Sequence, residues 1–226
     1  MKPRQPRIVH FLHIGKTGGT AVRTALEPYA TAGHYTLVLH GHEQRLRQLA
    51  PGEGVVFFLR DPVTRFVSGF NSRLRQGLPR YHLPWSPEQK AVFERFPAPN
   101  LLALALSSSH AEEKAAAEKA MDCSGHLRKI AGPWFDGEAG LLARLPDIFH
   151  IGFQETLAQD FEILKVKLGL PGEIQLPTDE VAAHKTPKNF ETRLEPQAVA
   201  NLTAWYQEDI RFYQFCRQLV ADGRIG

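Results

Sequence analysis

A lysine and two threonines surround a pair of glycines in residues 13–22, which read HIGKTGGTAV. A strand-like apolar run precedes this segment and helically spaced apolar residues follow it, so the lysine falls where a strand turns into a helix. Glycines allow close backbone approach, successive N–H groups point inward, and a helix N-terminus carries a partial positive charge. The pattern predicts a site for a phosphate-like anion, with Lys16 as the charge beside it.

The order of these residues differs from that of the common nucleoside-triphosphate loop. That loop requires G-x-x-x-x-G-K-[ST], and its first glycine would fall on His10. Residues 15–17 match the last three positions, but Gly18 and Gly19 come after the lysine instead of before it. The sequence therefore argues against ATP or GTP bound in the usual way.

A second candidate phosphate site follows the apolar run at residues 55–59, which is typical of a strand buried on both faces. The Asp-Pro pair after this run favours a helix start, and the apolar spacing predicts a helix over 62–75. Arg60 then lies at the carboxyl end of the strand, while Arg65 and Ser68 lie off the apolar stripe of the helix. A guanidinium and a hydroxyl placed in this way can bind a second phosphate. The alternative is a solvated helix face.

Together the two motifs resemble those of sulfotransferases that use 3′-phosphoadenosine-5′-phosphosulfate as the sulfuryl donor. HIGKTGGTAV is similar to their 5′-phosphosulfate loop, and LRDPVTRFVSGF (residues 59–70) to their 3′-phosphate strand and helix. The likeness is to carbohydrate sulfotransferases of the Golgi type and their bacterial relatives. The residues that it assigns to the 5′-phosphosulfate are Lys16, Thr17, Gly18, Gly19 and Thr20, and those that it assigns to the 3′-phosphate are Arg60 and Ser68.

A third nucleotide contact is implied near the carboxyl end of the chain. His184 and Lys185 stand where the family has a basic loop that closes over the nucleotide. The sequence HKTPK at this position fits a solvated basic turn equally well.

Two histidines, His40 and His42, lie between the phosphate motifs in an HGH sequence. This sequence is similar to the catalytic centre of uronyl 2-O-sulfotransferases, where a histidine deprotonates the acceptor hydroxyl. The resemblance implies that His42 is the base, with His40 as its partner or substitute, and that Lys16 stabilises charge on the leaving phosphate. Transfer would be a single in-line step that requires no metal. The alternatives are surface histidines in a turn and an H-x-H metal site, for which no third ligand is evident.

The elements around these motifs predict an α/β fold. Strands that alternate with helices favour a mainly parallel sheet, whose ligands bind at the carboxyl ends of the strands. The resemblance implies the three-layer, P-loop-NTPase-like version of this fold. The predicted strands are 8–14, 35–39, 55–59 and 148–152, and the predicted helices are 18–27, 62–75, 155–168 and 196–218.

The whole chain, residues 1–226, is expected to form one domain. A helical, proline-rich insertion at about 76–146, where the resemblance fades, is expected to form the pocket for a hydroxyl-bearing acceptor, most simply a saccharide. Arginines suit an acidic sugar and tryptophans suit stacking on a pyranose ring. The candidate side chains are Arg73, Arg75, Arg80, His82, Trp85 and Trp134.

Composition excludes several classes of protein. A net charge of +3, from 27 basic and 24 acidic residues, fits an anionic donor and is too small to indicate a nucleic-acid partner. Two cysteines provide no disulfide framework. Neither a signal peptide nor an apolar run of membrane-spanning length is present, unlike in the anchored Golgi enzymes. We therefore expect a cytoplasmic, bacterial protein rather than a trimmed anchored one.

Two other functions compete with sulfuryl transfer. In a nucleotide or small-molecule kinase, Asp61 would bind magnesium and Lys16 would contact the phosphates. A non-catalytic nucleotide-binding protein would keep the loop and lack the acceptor chemistry. The glycine order and Pro62 argue against the kinase, and the HGH sequence argues against the binding protein.

Overall fold

The computed structural model describes residues 7–32, 35–179, 187 and 190–225. His184 and Lys185, which the sequence assigns to the nucleotide, lie outside this part of the chain. The described strands are β1 (Arg7–Leu12), β2 (Thr31–Ala32), β3 (Tyr35–Leu39), β4 (Gly54–Leu59) and β5 (Ile148–Phe153).

Helices cover both faces of these strands. They are α1 (Gly19–Leu26), α2 (Pro62–Leu74), α3 (Pro87–Arg95), α4 (Pro99–Ala105), α5 (Ala111–Met121), α6 (Ala131–Phe135), α7 (Gly137–Ala143), α8 (Leu157–Leu168), α9 (Pro196–Trp205) and α10 (Gln207–Ala221). Short 3₁₀ turns occur at Glu27–Tyr29, Leu46–Gln48, Leu145–Asp147 and Gln154–Thr156. None of the helices in the described ranges has the length and apolar character that a bilayer span requires.

The strands form one sheet in the order β2-β3-β1-β4-β5. β3, β1, β4 and β5 run parallel, and the short β2 pairs antiparallel with β3 at the edge. β1 is central, with Phe11 opposite Leu39 on one side and Val56 on the other. Parallel strands end at the same edge, so the loop after β1, the HGH sequence after β3 and Arg60 after β4 share that edge. The predicted three-layer α/β fold with a mainly parallel sheet is confirmed.

Apolar side chains fill the space on each face of the sheet. On one face, the ring of Phe57 in β4 lies 4.6 Å from that of Phe135 in α6, within a cluster that α10 completes. On the other face, Phe58 packs in a cluster with Val22 of α1 and Phe161 of α8. Adjacent residues of β4 therefore serve opposite layers, as expected of a strand buried on both faces.

The predicted start of α2 at Pro62 is confirmed, and glycine ends α8. Asp61 accepts a hydrogen bond from the Thr64 N–H at 2.9 Å and so caps α2, with Pro62 in the first helical position. Gly169 ends α8 in the left-handed conformation, with φ of 66°.

Three predictions about the elements need correction. The strand expected over 8–14 ends at Leu12, because a turn in which the Ile14 N–H bonds the Leu12 carbonyl begins the anion loop. The helix expected over 196–218 is two helices, α9 and α10, divided at Tyr206, whose side chain is completely buried. Arg65, predicted to lie off the apolar stripe, is also buried, because its guanidinium has polar partners inside the protein.

The segment 76–146 contains α3 to α7 and packs on the rest of the protein through an apolar cluster. Phe93 of α3 and Leu102 of α4 meet Phe70 of α2 and Leu202 of α9 there. The segment therefore has an extensive interface with α2, the helix that carries Ser68.

The close packing of β5 gives a test of this architecture. A Cβ at Gly152 would lie 2.2 Å from the Phe58 ring, which is fully buried. Gly152→Ala should therefore lower the free energy of unfolding by about 1–3 kcal/mol, as overpacking does. Gly132→Ala, where a Cβ would meet nothing within 4 Å, is the matched control and should change it little. Urea unfolding of both variants measures the difference, and equal stabilities would contradict the packing of β4 against β5.

Candidate functional site

A cavity of about 1060 Å³ opens at the carboxyl edge of the sheet. It lies between the loop after β1, the amino-terminal half of α2 and the segment that enters α8. Its walls contain most of the residues that the sequence singled out, from both phosphate motifs and from the HGH sequence. Those residues are Lys16, Gly18, Gly19, Thr20, His42, Arg60 and Ser68.

The loop after β1 has the backbone conformation of an anion cradle. Lys16 has φ of 71° and Gly18 has φ of 86°, so two of three consecutive residues are left-handed before α1 begins. Thr17 stabilises this turn because its hydroxyl donates to the Ile14 carbonyl at 3.0 Å. Thr17 is buried and does not line the cavity, so its side chain supports the loop from within.

Gly19 allows a histidine to pack beneath the start of α1. A Cβ at Gly19 would lie 2.6 Å from Cδ2 of His13, closer than real Cβ contacts. His13 is buried, and its burial together with the nearby charges of His42, Arg23, Arg80 and Lys16 lowers its pKa to about 3. His13 is therefore neutral at physiological pH and supports the loop without adding charge.

Lys16 lies in a strongly electropositive environment. Burial first, and then the guanidinium groups of Arg75 and Arg60, lower the pKa of its ammonium to about 7. Burial also lowers the pKa of Arg60, against the opposing effect of Glu155 and Asp61. An anion in the cavity would relieve this repulsion, so the electrostatics favour a negatively charged ligand.

The second phosphate motif aligns polar groups along α2. The Arg60 Nε–H donates to the Thr64 hydroxyl at 3.0 Å, and Ser68 lies one turn further along the same face. Arg60, Thr64 and Ser68 all line the cavity. The Asp61 carboxylate caps α2 and is absent from the cavity wall, which disfavours the magnesium-binding role that a kinase would need.

The two histidines of the HGH sequence lie in different places. His42 lines the cavity, and its Nδ1 lies 2.7 Å from the His13 carbonyl oxygen. A carbonyl only accepts, so the Nδ1–H of His42 donates and its Nε2 holds the lone pair in the neutral ring. That tautomer leaves Nε2 available as a proton acceptor.

His40 lies outside the cavity wall in a chain of polar side chains. His10 joins His40 to Glu53, with 2.8 Å between His10 Nδ1 and His40 Nε2 and 2.7 Å between His10 Nε2 and the carboxylate. The carboxylate accepts from the Nε2–H of His10, so His10 Nδ1 accepts from the Nε2–H of His40 when both rings are neutral. The Nε2 atom of His40 is thus occupied as a donor.

A third cavity histidine, His126, was not predicted from the sequence. It lies in the turn between α5 and α6, far along the chain from both phosphate motifs. Its burial and the positive charges of Lys16, His42, Arg73 and Arg65 keep its pKa well below the ordinary value. The Ser-Gly-His sequence before Leu127 predicts only a turn, and nothing in its spacing links it to the motifs.

The side chains that the sequence analysis assigned to an acceptor pocket do not lie together in the structure. Arg80 lines the cavity. Arg73 is buried and donates to Gln89 at 2.6 Å, and the Trp85 Nε1–H donates to the Arg73 carbonyl. Trp134 packs in the core beneath the Arg45 guanidinium.

Two further acceptor candidates form hydrogen bonds to residues of the segment 76–146. The Nε–H of the buried Arg75 donates to the Leu78 carbonyl at 2.5 Å. His82 is exposed and hydrogen-bonds Gln76. Of the six candidates, the structure brings only Arg80 to the cavity wall.

Comparison with known proteins shows which family the chain belongs to. No curated protein sequence matches this chain. The sequence profile of the sulfotransferase family matches residues 9–216, which include most of β1, both phosphate motifs, the turn at His126 and most of α10. Because the match spans nearly all of the chain, the protein belongs to the sulfotransferase family.

Proposed function

We propose that the protein transfers a sulfuryl group from 3′-phosphoadenosine-5′-phosphosulfate to the hydroxyl of an acceptor, most simply a saccharide. One observation carries the proposal: cationic groups from two separate strand–helix junctions, Lys16 and Arg60, line a single cavity. A nucleotide with phosphates on both its 3′ and 5′ sides matches this arrangement. The cavity volume of about 1060 Å³ leaves space for an acceptor beside the nucleotide.

The left-handed turn at Lys16 and Gly18 and the N-terminus of α1 suit the 5′-phosphosulfate. The backbone N–H groups there donate to its oxygens, and the Lys16 ammonium neutralises charge that develops on the leaving phosphate. Arg60 and Ser68 bind the 3′-phosphate. Apolar groups that line the cavity between the motifs, such as Leu157, provide a surface for the adenine ring.

His42 acts as the general base in this proposal. Its Nε2 accepts the proton of the acceptor hydroxyl, while the hydrogen bond from Nδ1–H to the His13 carbonyl fixes the tautomer. His40 is less suitable, because it lies outside the cavity wall and its Nε2 is engaged with His10. The segment 76–146 supplies part of the acceptor side through Arg80 and Tyr81.

Ligand-dependent thermal stability separates this function from the kinase alternative. Adenosine 3′,5′-bisphosphate without magnesium should raise the melting temperature, because binding to the folded state alone stabilises it. Stabilisation by ATP with magnesium, and none by the bisphosphate, would favour a kinase. A protein that binds the bisphosphate but never desulfates the donor in the presence of saccharide acceptors would be a nucleotide-binding protein without transferase activity.

Substitution of the two principal catalytic groups should separate chemistry from binding. His42→Ala should lower turnover by about 10²–10⁴-fold and leave affinity for adenosine 3′,5′-bisphosphate nearly unchanged. Lys16→Ala should lower turnover by about 10²–10³-fold and weaken nucleotide binding as well. Radiolabelled sulfuryl transfer and calorimetry measure the two effects. His40→Ala is the control within the same motif, and a larger loss there than in His42→Ala would reverse the assignment of the base.

Discrimination between nucleotides should test the second phosphate contact. The native protein should bind adenosine 3′,5′-bisphosphate much more tightly than adenosine 5′-monophosphate. The double variant Arg60→Ala, Ser68→Ala should lose about tenfold or more of this preference, because a charge-assisted hydrogen bond is worth about 1.5–3 kcal/mol. Its affinity for the monophosphate should change little. Calorimetry with both nucleotides measures the ratio, and an unaltered ratio would remove Arg60 and Ser68 from the 3′-phosphate site.

The depressed pKa of Lys16 predicts a proton linkage. A pKa of about 7 leaves most of the ammonium deprotonated at pH 8, and a bound phosphate raises that pKa. Nucleotide binding at pH 8 should therefore take up protons, and affinity should fall as the pH rises above 7. Calorimetry in two buffers of different ionisation enthalpy measures the uptake. Lys16→Arg keeps its charge and should show much less uptake, whereas uptake equal to that of the native protein would assign the proton to another group.

A further inference from the structure

His126 lines the cavity close to two residues with proposed roles in the reaction, His42 and Lys16. Its ring lies edge-on to the His42 ring, with centroids 6.5 Å apart, and its Cδ2 lies 3.2 Å from the position that a Cβ on Gly15 would take. Besides burial, which has the largest effect, the Lys16 ammonium and the protonated form of the His42 ring lower its pKa. His126 is therefore adjacent to the group assigned to the leaving phosphate and to the group assigned to the acceptor proton.

The fold holds the His126 backbone in place through α2. A Cβ at Gly69 of α2 would lie 2.6 Å from the His126 carbonyl oxygen, so the turn approaches the helix where glycine permits it. The buried Arg65, also in α2, donates to the His126 carbonyl at 3.2 Å and to the Arg128 carbonyl. The helix that carries Ser68 thus also fixes the position of His126.

The start of α10 anchors the other side of the same turn. Tyr206 donates its buried hydroxyl to the Leu127 carbonyl. The Asp209 carboxylate accepts from the N–H groups of Ile130 and Ala131 at 2.9–3.0 Å. Buried polar groups that are held in this way give a turn one defined position. The backbone of His126 is consequently fixed before any ligand binds, and its ring lies beside Gly15 and His42.

The ring chemistry indicates what His126 offers to a ligand. Its burial and the surrounding cations keep the imidazole neutral, with one N–H and one lone pair. Nδ1 is buried without a hydrogen-bond partner. The tautomer with its proton on Nε2 leaves only a lone pair at this unpartnered nitrogen, so we assign the proton to Nε2. Since Nδ1 is buried and His126 lines the cavity, Nε2–H is the donor available to a ligand.

We propose that His126 is a further catalytic residue of the sulfuryl transfer, whose Nε2–H donates a hydrogen bond to an oxygen of the transferring sulfuryl group. The inference rests on the proposed function and adds a group that the sequence motifs do not contain. The neutral donor, near Lys16 and His42, stabilises charge on the sulfuryl oxygens without itself losing a proton.

Sulfuryl transfer in this cavity is a single displacement at sulfur. The acceptor oxygen forms a bond to sulfur while the bond from sulfur to the 5′-phosphate oxygen breaks, and its electron pair stays on that phosphate. The acceptor proton moves to Nε2 of His42, and Lys16 neutralises the leaving phosphate. His126 keeps its proton throughout and only strengthens its hydrogen bond as the sulfuryl group becomes planar.

Orthovanadate bound beside adenosine 3′,5′-bisphosphate tests this role, because vanadate mimics the planar sulfuryl group and needs no identified acceptor. We expect His126→Ala to weaken vanadate binding to the protein–bisphosphate complex by about tenfold or more. Affinity for the bisphosphate alone should change less than about twofold. His126→Gln, which restores an N–H donor, should recover part of the vanadate affinity. If His126 were only structural, both substitutions would weaken binding of the bisphosphate, and His126→Gln would bind vanadate no more tightly than His126→Ala.

Controls separate this inference from the proposed function. His110, an exposed residue at the start of α5 and outside the cavity wall, provides the matched substitution, and His110→Ala should leave both affinities unchanged. Unaltered vanadate affinity in His126→Ala would overturn the role of His126. So would a native protein that binds the bisphosphate but no vanadate. Failure of the native protein to bind the bisphosphate at all would instead overturn the proposed function.

Discussion

Burial of positive charge at one edge of a parallel sheet is the constraint on which this structure depends. Burial first, and then the nearby guanidiniums of Arg75 and Arg60, lower the pKa of the Lys16 ammonium to about 7. Holding these positive charges close together and partly buried costs free energy, and the stability of the rest of the fold must offset that cost. The two apolar clusters on the faces of the sheet provide that rigidity, and a dianionic ligand is what the arrangement favours.

The same constraint determines which other groups in the cavity are charged. His13 and His126 are both near Lys16 and partly or wholly buried, and in each the pKa is far below that of free histidine. Neutral imidazoles can then act as supports or as hydrogen-bond donors without adding to the repulsion. His42 differs because it is exposed at the cavity mouth and has one ring nitrogen held by a backbone carbonyl. His13, His126 and His42 therefore differ in burial and in hydrogen bonding because they occupy different places in the cavity wall.

A buried polar centre connects the parts of the protein that surround the site. Arg65 of α2, Asp209 of α10 and Tyr206 between α9 and α10 all bond the backbone of the turn that carries His126. Tyr206, at which the carboxyl-terminal helical pattern is divided, donates its hydroxyl to the Leu127 carbonyl inside the core. Buried polar groups of this kind are costly without partners. Here backbone atoms of a single turn provide most of the partners, and the Arg65 guanidinium also lies 3.9 Å from the Asp209 carboxylate.

The sequence by itself determined the parallel α/β sheet, the two phosphate motifs and their place at strand ends. These features depend on local periodicity, glycine and capping residues, which act over a few positions. Only the tertiary structure separated His40 from His42, buried Arg65, moved Arg73 and Trp134 away from the cavity and brought His126 into it. Those outcomes depend on contacts between residues that are distant in the chain, such as Gly69 with His126 and His10 with His40. The spacing of residues along the sequence does not predict such contacts, because they arise from how the layers of the fold pack together.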